Sequence, residues 1–555
     1  MYTTSADIHN DSQLTTYLFY IPNHRMIKPA YILPFLIILT SSLVAQTPNY
    51  PTFFSEPFPL FVKAIGDFER PVSSSVDGVQ EYFNQGFQMM YAFTKVDAAR
   101  SFKEAQKLDP TCSMCFWGEA WAWGPYLNGK MQEAEAPRAH ASIQAAQELA
   151  QEGFVTEKEA DLITAMTIRY HETYEPETQA VRDTAYAKVM GQLAQKYPND
   201  LDIGTFYAEA LFLLEPRRGY RNIDDPDVQR IHRELERVLS LDITHTGACH
   251  LYIHATESTT RPEKALECSE FIGSSIPGAS HINHMPSHTW SEVGMWGKSV
   301  QANIMAWHSD QKAATGEGFA IYPSHNLHML AFAASMDGQS GIATQAGRDY
   351  SRLTGNPMYE LLTLIRFGRF EDVLDIAKIR EKPANDIQLG VWNFSMGYAS
   401  LKSGDEVTAT SMVKDIKALS ESSDARFRFH PANLLLGTLA HILEGEIHWT
   451  QGNLDQAIES FNVAISFENQ LTYDEPEPLP FAARHWLGAA YLATDNFIEA
   501  ERVYRKALQD HPNNGWSYFG LLQALEAQGK QDNQIQEAFT LSWARSDTWL
   551  RGSKF

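Results

Sequence analysis

The sequence has few positive charges for its size. Its 555 residues contain 45 Lys and Arg against 68 Asp and Glu, which gives a formal net charge of −23. Surfaces that bind nucleic acids need clustered Lys and Arg to neutralise phosphates, and no basic stripe occurs in this chain. We therefore expect no nucleic-acid partner and no attraction to anionic membranes.

Cysteine is also scarce, with only Cys112, Cys115, Cys249 and Cys268 present. An even number permits disulfides in an exported protein. The Cys112-Ser-Met-Cys115 spacing is found in redox motifs, but no βαβ pattern surrounds it, so a structural bridge or two buried thiols is the better interpretation. Cys249 and Cys268 can join the two helices of one hairpin, a pairing that spacing alone does not establish.

Only one long apolar run stands out, at residues 30–45, AYILPFLIILTSSLVA. A short basic start at Met26-Ile-Lys28 and small residues at its end predict a secretory signal, whereas the Pro and Ser within it argue against a membrane span. Residues 1–25 do not fit this pattern. We expect translation to start at Met26, cleavage after Ala45, and export to the periplasm or the extracellular space, with no membrane span in the mature chain.

Runs of alternating β-branched residues are absent, and apolar residues instead recur at helical spacing after about residue 74. A repeated pattern of small and aromatic residues identifies helical hairpins of the tetratricopeptide type, with a period of 34 residues. It occurs at Gly86, Ala98, Phe102, Ala105 and Pro110; at Gly445, Ala457, Phe461 and Ala464; and at Gly488, Tyr491, Ala500, Tyr504, Ala507 and Pro512. The predicted fold is all-α, a right-handed superhelix of hairpins whose concave groove binds a small molecule, a peptide or a partner protein.

The predicted organisation has four parts. Residues 1–45 form the early start and signal peptide, and residues 46–74 an extended segment. Residues 75–375 form a helical repeat region, and residues 376–555 the more regular C-terminal repeats.

Histidines recur at the period of the repeat. His250 and His254 lie 34 residues before His284 and His288, so the same H-x3-H spacing occupies the same place in consecutive repeats. Residues three and four apart share a helix face, and equivalent helices of neighbouring hairpins lie side by side. His281, His325 and His328 complete the set. We expect all seven imidazoles to converge on one patch of the groove and to bind a transition metal ion.

Pro286 leaves the exact ligand set open. It cannot donate a helical hydrogen bond, so it either kinks a helix or begins one. One alignment places His328 level with His284. The alternative uses Pro323 as the counterpart of Pro286 and places His325 level with His288.

Nitrogen ligands favour zinc, copper, iron or nickel over magnesium or calcium, and export makes zinc or copper the expected metal. The HExxH motif of zinc proteases is absent. Glu257, three residues after His254, is the candidate catalytic carboxylate, with a metal ligand or an orienting residue as its other possible roles. Glu292 is a weaker candidate of the same kind. Two alternatives to metal binding are polar recognition of a peptide or small acid, and a pH-sensitive packing network.

Four phrases resemble a widespread group of exported bacterial tetratricopeptide proteins. They are LDPTCSMCFWGEAWAWGPYLN, THTGACHLYIHATE, HINHMPSHTW and YPSHNLHML, and the resemblance extends from about residue 82 to 341. The group usually has Arg where this chain has Glu292, and often only one Cys in the first phrase. The resemblance therefore implies the histidine site but no reaction.

Two functions follow as hypotheses. The first is an exported solenoid with a polyhistidine metal site, a metalloenzyme acting on a small molecule. The second is a non-catalytic tetratricopeptide scaffold that binds peptides or proteins. A closed pocket with open coordination positions favours the enzyme, and a long open groove favours the scaffold.

Overall fold

The computed structural model describes residues 49–216 and 219–555. The predicted signal peptide, the Met26 start and the Gln46 mature end lie outside these ranges. Residues 48–555 belong to one compact unit. Within the described ranges, no helix is both long and apolar enough to cross a membrane.

The N-terminal segment contains one short 3-10 helix, Thr52–Ser55, before the first α-helix. Gln85 and Gln88 are buried residues of the first α-helix. Their side-chain amides bind the backbone of the N-terminal segment. The helices that follow are α1 (Val79–Tyr91), α2 (Lys95–Leu108), α3 (Ser113–Trp123), α4 (Ala136–Gln151), α5 (Glu157–Thr167), α6 (Gln179–Lys196), α7 (Leu201–Phe212) and α8 (Pro226–Leu241).

The middle of the chain consists of eight α-helices. They are α9 (Thr246–Thr256), α10 (Leu266–Ile272), α11 (Ser280–His284), α12 (Pro286–Glu292), α13 (Trp296–Ala313), α14 (Pro323–Met336), α15 (Ser340–Thr354) and α16 (Met358–Arg366). Four of them, α9, α11, α12 and α14, carry the histidine segments. Two further 3-10 helices, Pro176–Thr178 and Pro262–Ala265, precede α6 and α10.

The C-terminal part is interrupted by one small hairpin. Its helices are α17 (Phe370–Ile379), α18 (Asp386–Lys402), α19 (Glu406–Ser422), α20 (Ala432–Thr450), α21 (Leu454–Glu468), α22 (Arg484–Ala493), α23 (Phe497–Asp510), α24 (Gly515–Ala527) and α25 (Asn533–Ser542). Strands β1 (Arg426–Phe427) and β2 (His430–Pro431) pair antiparallel between α19 and α20.

The small and aromatic residues of the repeat pattern explain how the hairpins pack. A Cβ atom on Gly86 or Gly118 would lie 2.9 or 2.5 Å from the ring of Phe102, so the ring of α2 fits between α1 and α3 only because both positions are glycine. Gly488 and Gly520 enclose Tyr504 in the same way. The predicted all-α solenoid of tetratricopeptide-like hairpins is confirmed.

The hydrophobic core forms two large clusters along the solenoid. The first runs in sequence from Phe54 to Phe319, and the second from Trp296 to Trp516. Both cysteine pairs form disulfides, Cys112 with Cys115 and Cys249 with Cys268. The second bridge joins α9 to α10, as the hairpin interpretation expected.

The C-terminal segment packs back against the middle helices. The indole of Trp296 donates to the Pro512 carbonyl, and that of Trp516 to the Ser335 carbonyl, both at 2.9 Å. Arg545 forms an ion pair with the buried Asp337 carboxylate at 2.6 Å. These contacts connect helices α13 and α14 to a part of the chain about 200 residues later.

Candidate metal centre

Helix α9 presents His250 and His254 on one buried face. Every residue from Thr246 to Thr256 is buried, so the helix lies inside the protein instead of on a groove surface. His245 caps its N-terminus: the Nδ1 atom accepts from the Ala248 backbone N–H at 3.1 Å, while Nε2 contacts Asp202 at 3.1 Å. The cap fixes where the helix begins and therefore where its two site histidines point.

Pro286 divides the second histidine segment into two short helices. His281 and His284 lie on α11 and His288 lies on α12, which Pro286 begins. Met285 between them has helical dihedral angles, φ −51° and ψ −38°, so the chain bends at the proline without leaving the helical conformation. Both sequence interpretations of Pro286 therefore hold in part.

Helix α14 adds one histidine to the site instead of two. His325 follows Pro323 by two residues, as His288 follows Pro286, and its Nε2 lies 3.1 Å from Nε2 of His284. The alignment that pairs His325 with His288 is the one the structure adopts. The expectation that His328 joins the patch is not met: its ring stacks on Tyr359 at 4.1 Å, and its Nε2 lies 3.2 Å from the Glu477 carbonyl.

The six remaining imidazoles form two trios. In each trio, one nitrogen per ring lies within 4.8 Å of the others; the first trio is His250, His254 and His281, and the second is His284, His288 and His325. The rings of the two trios adjoin, with centroids 5.4 Å apart for His254 and His288 and 5.7 Å for His281 and His284. We call this set of six residues the histidine cluster.

The Nδ1 atoms of both H-x3-H pairs face oxygen acceptors. That of His250 lies 2.6 Å from the Tyr91 carbonyl, and that of His254 lies 2.8 Å from Glu257 Oε1. In the other pair, His288 Nδ1 contacts the second oxygen of Glu257. A carbonyl or a carboxylate can only accept, so each of these Nδ1 atoms carries a proton.

The fourth acceptor is the side-chain oxygen of Asn303, 2.9 Å from His284 Nδ1. The Asn303 amide nitrogen donates to the Ser299 carbonyl at 2.8 Å, which places the oxygen toward the imidazole. All four Nδ1 atoms thus donate outward, and each ring of this set that is neutral presents its Nε2 lone pair inward.

The inward nitrogens have few protein partners. In the described ranges, the buried His254 Nε2 and His281 Nδ1 atoms have no hydrogen-bond partner. The Nε2 atoms of His250 and His281 lie 3.1 Å apart, and those of His284 and His288 lie 2.7 Å apart. Nitrogens that bind one tetrahedral zinc ion at about 2.0–2.1 Å stand roughly 3.3 Å from one another. The 3.1 Å separation is close to this value, whereas the 2.7 Å separation is a hydrogen-bond distance.

Two carboxylates lie beside the histidine cluster. Glu257, the candidate predicted from the sequence, uses both oxygens to hold His254 and His288. Of the three roles left open for it, these contacts fit the orienting one. They also fit the ligand role, because atoms of His254, Glu257, His288 and Glu475 lie within 4.8 Å of one another. Glu475, which lies 3.2 Å from His288 Nδ1, comes from the segment between α21 and α22 and carries no signal in the sequence. Asn303 was likewise not predicted, because no motif includes it.

Burial keeps most of these imidazoles neutral. It holds the pKa of His250, His281, His284 and His325 well below the ordinary value, and the neighbouring histidines lower it further. His288 is the exception: burial lowers its pKa, but Glu257 and Glu475 outweigh burial and raise it to about 10. The neutral form is the one that binds a metal ion.

Three strained residues wall the cluster. Phe93, Tyr322 and Arg428 have φ angles of 62°, 62° and 53°, in the left-handed region that bulky residues avoid. The Phe93 ring lies 4.2 Å from that of His250, the Tyr322 ring 5.6 Å from that of His281, and Arg428 Nη1 3.4 Å from His325 Nδ1. Strain of this kind persists where the surroundings impose it, and it concentrates at functional sites.

Two cavities adjoin the histidine cluster. The inner cavity, about 110 Å³, is lined by Asn128, His254, His281, His288, Tyr322, His325, Arg428 and Glu475. The outer chamber, about 410 Å³, shares His288 and Glu475 with it and is otherwise lined by Tyr220, by residues of α12 to α14 and by the segment from residue 468 to 511. The C-terminal half of the chain therefore contributes residues to the walls of both cavities.

The comparisons with known proteins bear on the fold alone. No protein-family model and no curated protein matches the chain. Among solved structures, the P58(IPK) TPR domain is 12% identical over 81% of this chain and 98% of its own, with a TM-score of 0.21. The human IFIT1 dimer with PPP-AAAA is 11% identical over 85% and 91%, with a TM-score of 0.29. The APC/C hetero-tetramer Cut9-Hcn1 is 12% identical over 84% and 90%, with a TM-score of 0.28.

These superpositions are loose, so the assignment of the fold depends on the hairpins of this chain. Fold and site together define the class of protein: an all-α solenoid of tetratricopeptide-like hairpins with a buried histidine cluster in its middle.

Proposed function

We propose that the histidine cluster binds a transition metal ion, zinc or copper, and that the protein is an exported metalloenzyme acting on a small molecule. The observation that carries the proposal is the set of oxygen acceptors on the four Nδ1 atoms. Metal-binding histidines almost always donate their second ring N–H to a carboxylate, a carbonyl or a similar acceptor, which fixes the tautomer and orients the ring. His250, His254, His284 and His288 all have such an acceptor.

The chemistry of the donor set supports zinc or copper. Six imidazoles with carboxylates close by form a borderline set without thiolates, because all four cysteines are in disulfides. Such a set suits zinc and copper better than magnesium or calcium. His281 and His325 are the third members of their trios, so each trio can hold one ion.

The packing alternative accounts less well for these contacts. A hydrogen-bonded core network satisfies its buried polar atoms, yet His254 Nε2 and His281 Nδ1 have no partner among the described residues. The 2.7 Å contact between His284 Nε2 and His288 Nε2 fits either alternative, because a protonated His288 can donate to His284.

The cavity beside the histidine cluster supports an enzyme over a scaffold. Structural metal sites have filled coordination shells, whereas catalytic sites keep a position open to water or substrate. The inner cavity, which borders both trios, provides room for such a position. A bound ion would supply a Lewis acid and a lowered pKa for bound water. Among the residues of the chain, Arg428 lines the same cavity and provides a cation for an anionic oxygen.

The two disulfides support the predicted export. Disulfides persist in oxidising compartments and are rare in the cytosol. Neither pair lies in an exposed redox position, because all four cysteines are buried. Protein for the experiments below is therefore best produced in an oxidising compartment.

Titration of metal-free protein with zinc and copper tests the proposal. Wild type is compared with His254→Ala and His284→Ala, one variant in each trio, and circular dichroism confirms that each variant is folded. We expect tight binding by wild type and a loss of at least about tenfold in affinity in each variant. Binding that is weak in wild type, or equal in all three proteins, would show that the cluster is not a metal site.

A further inference from the structure

Among the residues that the structure describes, one carboxylate of the outer chamber has no counter-ion. Six acidic residues line the chamber: Glu292, Glu468, Asp474, Glu475, Glu477 and Asp510. Five of them have a basic partner within 4 Å. Glu477 pairs with His511 at 3.0 Å, Asp474 with Arg428 at 2.7 Å, and Glu475 with His288 at 3.2 Å. Arg484 lies 3.6 Å from Glu468 and 3.5 Å from Asp510.

Glu292 differs from these five. No ion pair or hydrogen bond of its side chain occurs in the described ranges, and the residue is exposed and lines the chamber. It follows His288 by four residues on α12, so it lies on the same face as a residue of the histidine cluster. Its position connects the chamber to the proposed metal centre.

Aromatic rings form the walls around this carboxylate. The rings of Tyr220 and Tyr473 meet edge to face at 5.4 Å, and those of Trp296 and Phe332 lie 6.0 Å apart. All four line the chamber. Aromatic faces attract cations at distances up to about 6 Å, so an unpaired carboxylate among such rings is suited to an organic cation.

The electrostatics of the chamber agree with this assignment. Enclosure by protein and the nearby carboxylates of Glu477 and Glu257 raise the pKa of Glu292 to about 8. The two neighbouring carboxylates contribute a negative potential, which a bound cation would relieve.

We propose that the outer chamber binds an organic cation, the ammonium group of a substrate, with Glu292 as its counter-ion and the rings of Tyr220 and Tyr473 against it. The other end of such a substrate would reach the inner cavity past His288 and Glu475, which line both spaces. The claim that the cation belongs to a substrate rests on the proposed metal centre. The claim that the chamber binds a cation is testable without metal.

Choline and its neutral isostere 3,3-dimethyl-1-butanol are suitable probes, because the quaternary nitrogen cannot coordinate a metal ion. Binding to metal-free and zinc-loaded protein is measured by ligand-observed NMR, one unit above the Glu292 pKa of about 8. We expect choline to bind at least about tenfold more tightly than the isostere, and Glu292→Gln to remove that preference. Glu317→Gln, in an exposed loop between α13 and α14, is the matched control and should bind choline like wild type.

Equal binding of the two probes, no binding of choline, or unchanged choline binding in Glu292→Gln would overturn the proposal. Thermal unfolding of each variant excludes misfolding as a cause. Zinc content is measured on the same samples. Choline binding without zinc binding would contradict the metal centre and support the cation site. Zinc binding without choline binding would contradict the cation site and support the metal centre.

Discussion

Glu257 Oε1 accepts a hydrogen bond from Nδ1 of His254 at 2.8 Å, and the other oxygen of the same carboxylate contacts His288. One buried side chain thus orients a ring from each trio. We predict that Glu257→Gln lowers zinc affinity by about 10- to 100-fold, the usual effect of losing such a partner. Competition with a chromophoric chelator measures the change.

The matched control for this variant is Glu263→Gln, since Glu263 lies six residues later and is exposed. It should bind zinc like wild type. An unchanged zinc affinity in Glu257→Gln would mean that the carboxylate does not support the ligands.

His325 and His328 provide a comparison within one helix. His325 adjoins His284, whereas His328 stacks on Tyr359. We predict that His325→Ala reduces the zinc bound after dialysis and that His328→Ala leaves it unchanged while lowering the melting temperature through the lost stacking. Elemental analysis measures the zinc that each variant retains. Zinc loss confined to His328→Ala would contradict the assigned trio.

Asn303 is a positioning residue that acts through His284. Asn303→Leu removes the acceptor of the Nδ1 proton, so we expect about tenfold weaker zinc binding and a loss of about 1–3 kcal/mol of stability from the unsatisfied donor. Asn303→Asp keeps an acceptor and should restore zinc affinity. Isothermal calorimetry and urea unfolding separate the two effects, and equal zinc affinity in both variants would show that the acceptor is unimportant.

Asp310 offers a test of the electrostatics away from the histidine cluster. Burial raises its pKa to about 6, although Asn326 donates to its Oδ2 at 2.8 Å. An unfolded Asp loses its proton near pH 4, so between about pH 4 and 6 the unfolded state holds fewer protons and wild type loses stability as the pH rises. The Asp310→Asn variant has no carboxyl group at this position, so its stability does not fall in this way as the pH rises.

We therefore predict that the stability of Asp310→Asn relative to wild type increases by roughly 2 kcal/mol from pH 4 to pH 7. Urea unfolding across this range measures it, with the exposed Asp415→Asn as the control. A difference between Asp310→Asn and wild type that is constant with pH would contradict the raised pKa.

Local patterns predicted most of the fold and half of the site. The spacing of Gly and aromatic residues predicted the hairpins, because the ring of Phe102 packs between Gly86 and Gly118 only where both positions lack a side chain. The 34-residue offset identified His250, His254, His284 and His288, and the neighbouring histidine segments added His281 and His325. The same reasoning placed His328 in the cluster, whereas its ring stacks on Tyr359.

The remaining features depend on contacts between distant parts of the chain. Glu475 and Arg428 reach the cluster only because the C-terminal half packs over it, and Asn303 acts from the next helix. No spacing rule connects such residues to the histidines. The contribution of the C-terminal half to the cavity walls is likewise a property of tertiary packing, which the repeat pattern does not predict.

X-ray absorption spectroscopy of the zinc-loaded protein tests the central claim most directly. It reports the number and type of atoms bound to the ion and their distances. The account predicts at least three nitrogen ligands at about 2.0–2.1 Å with the multiple scattering of imidazole rings, reduced in His254→Ala and in His284→Ala. A spectrum with oxygen ligands only, or one unaltered by either substitution, would contradict it.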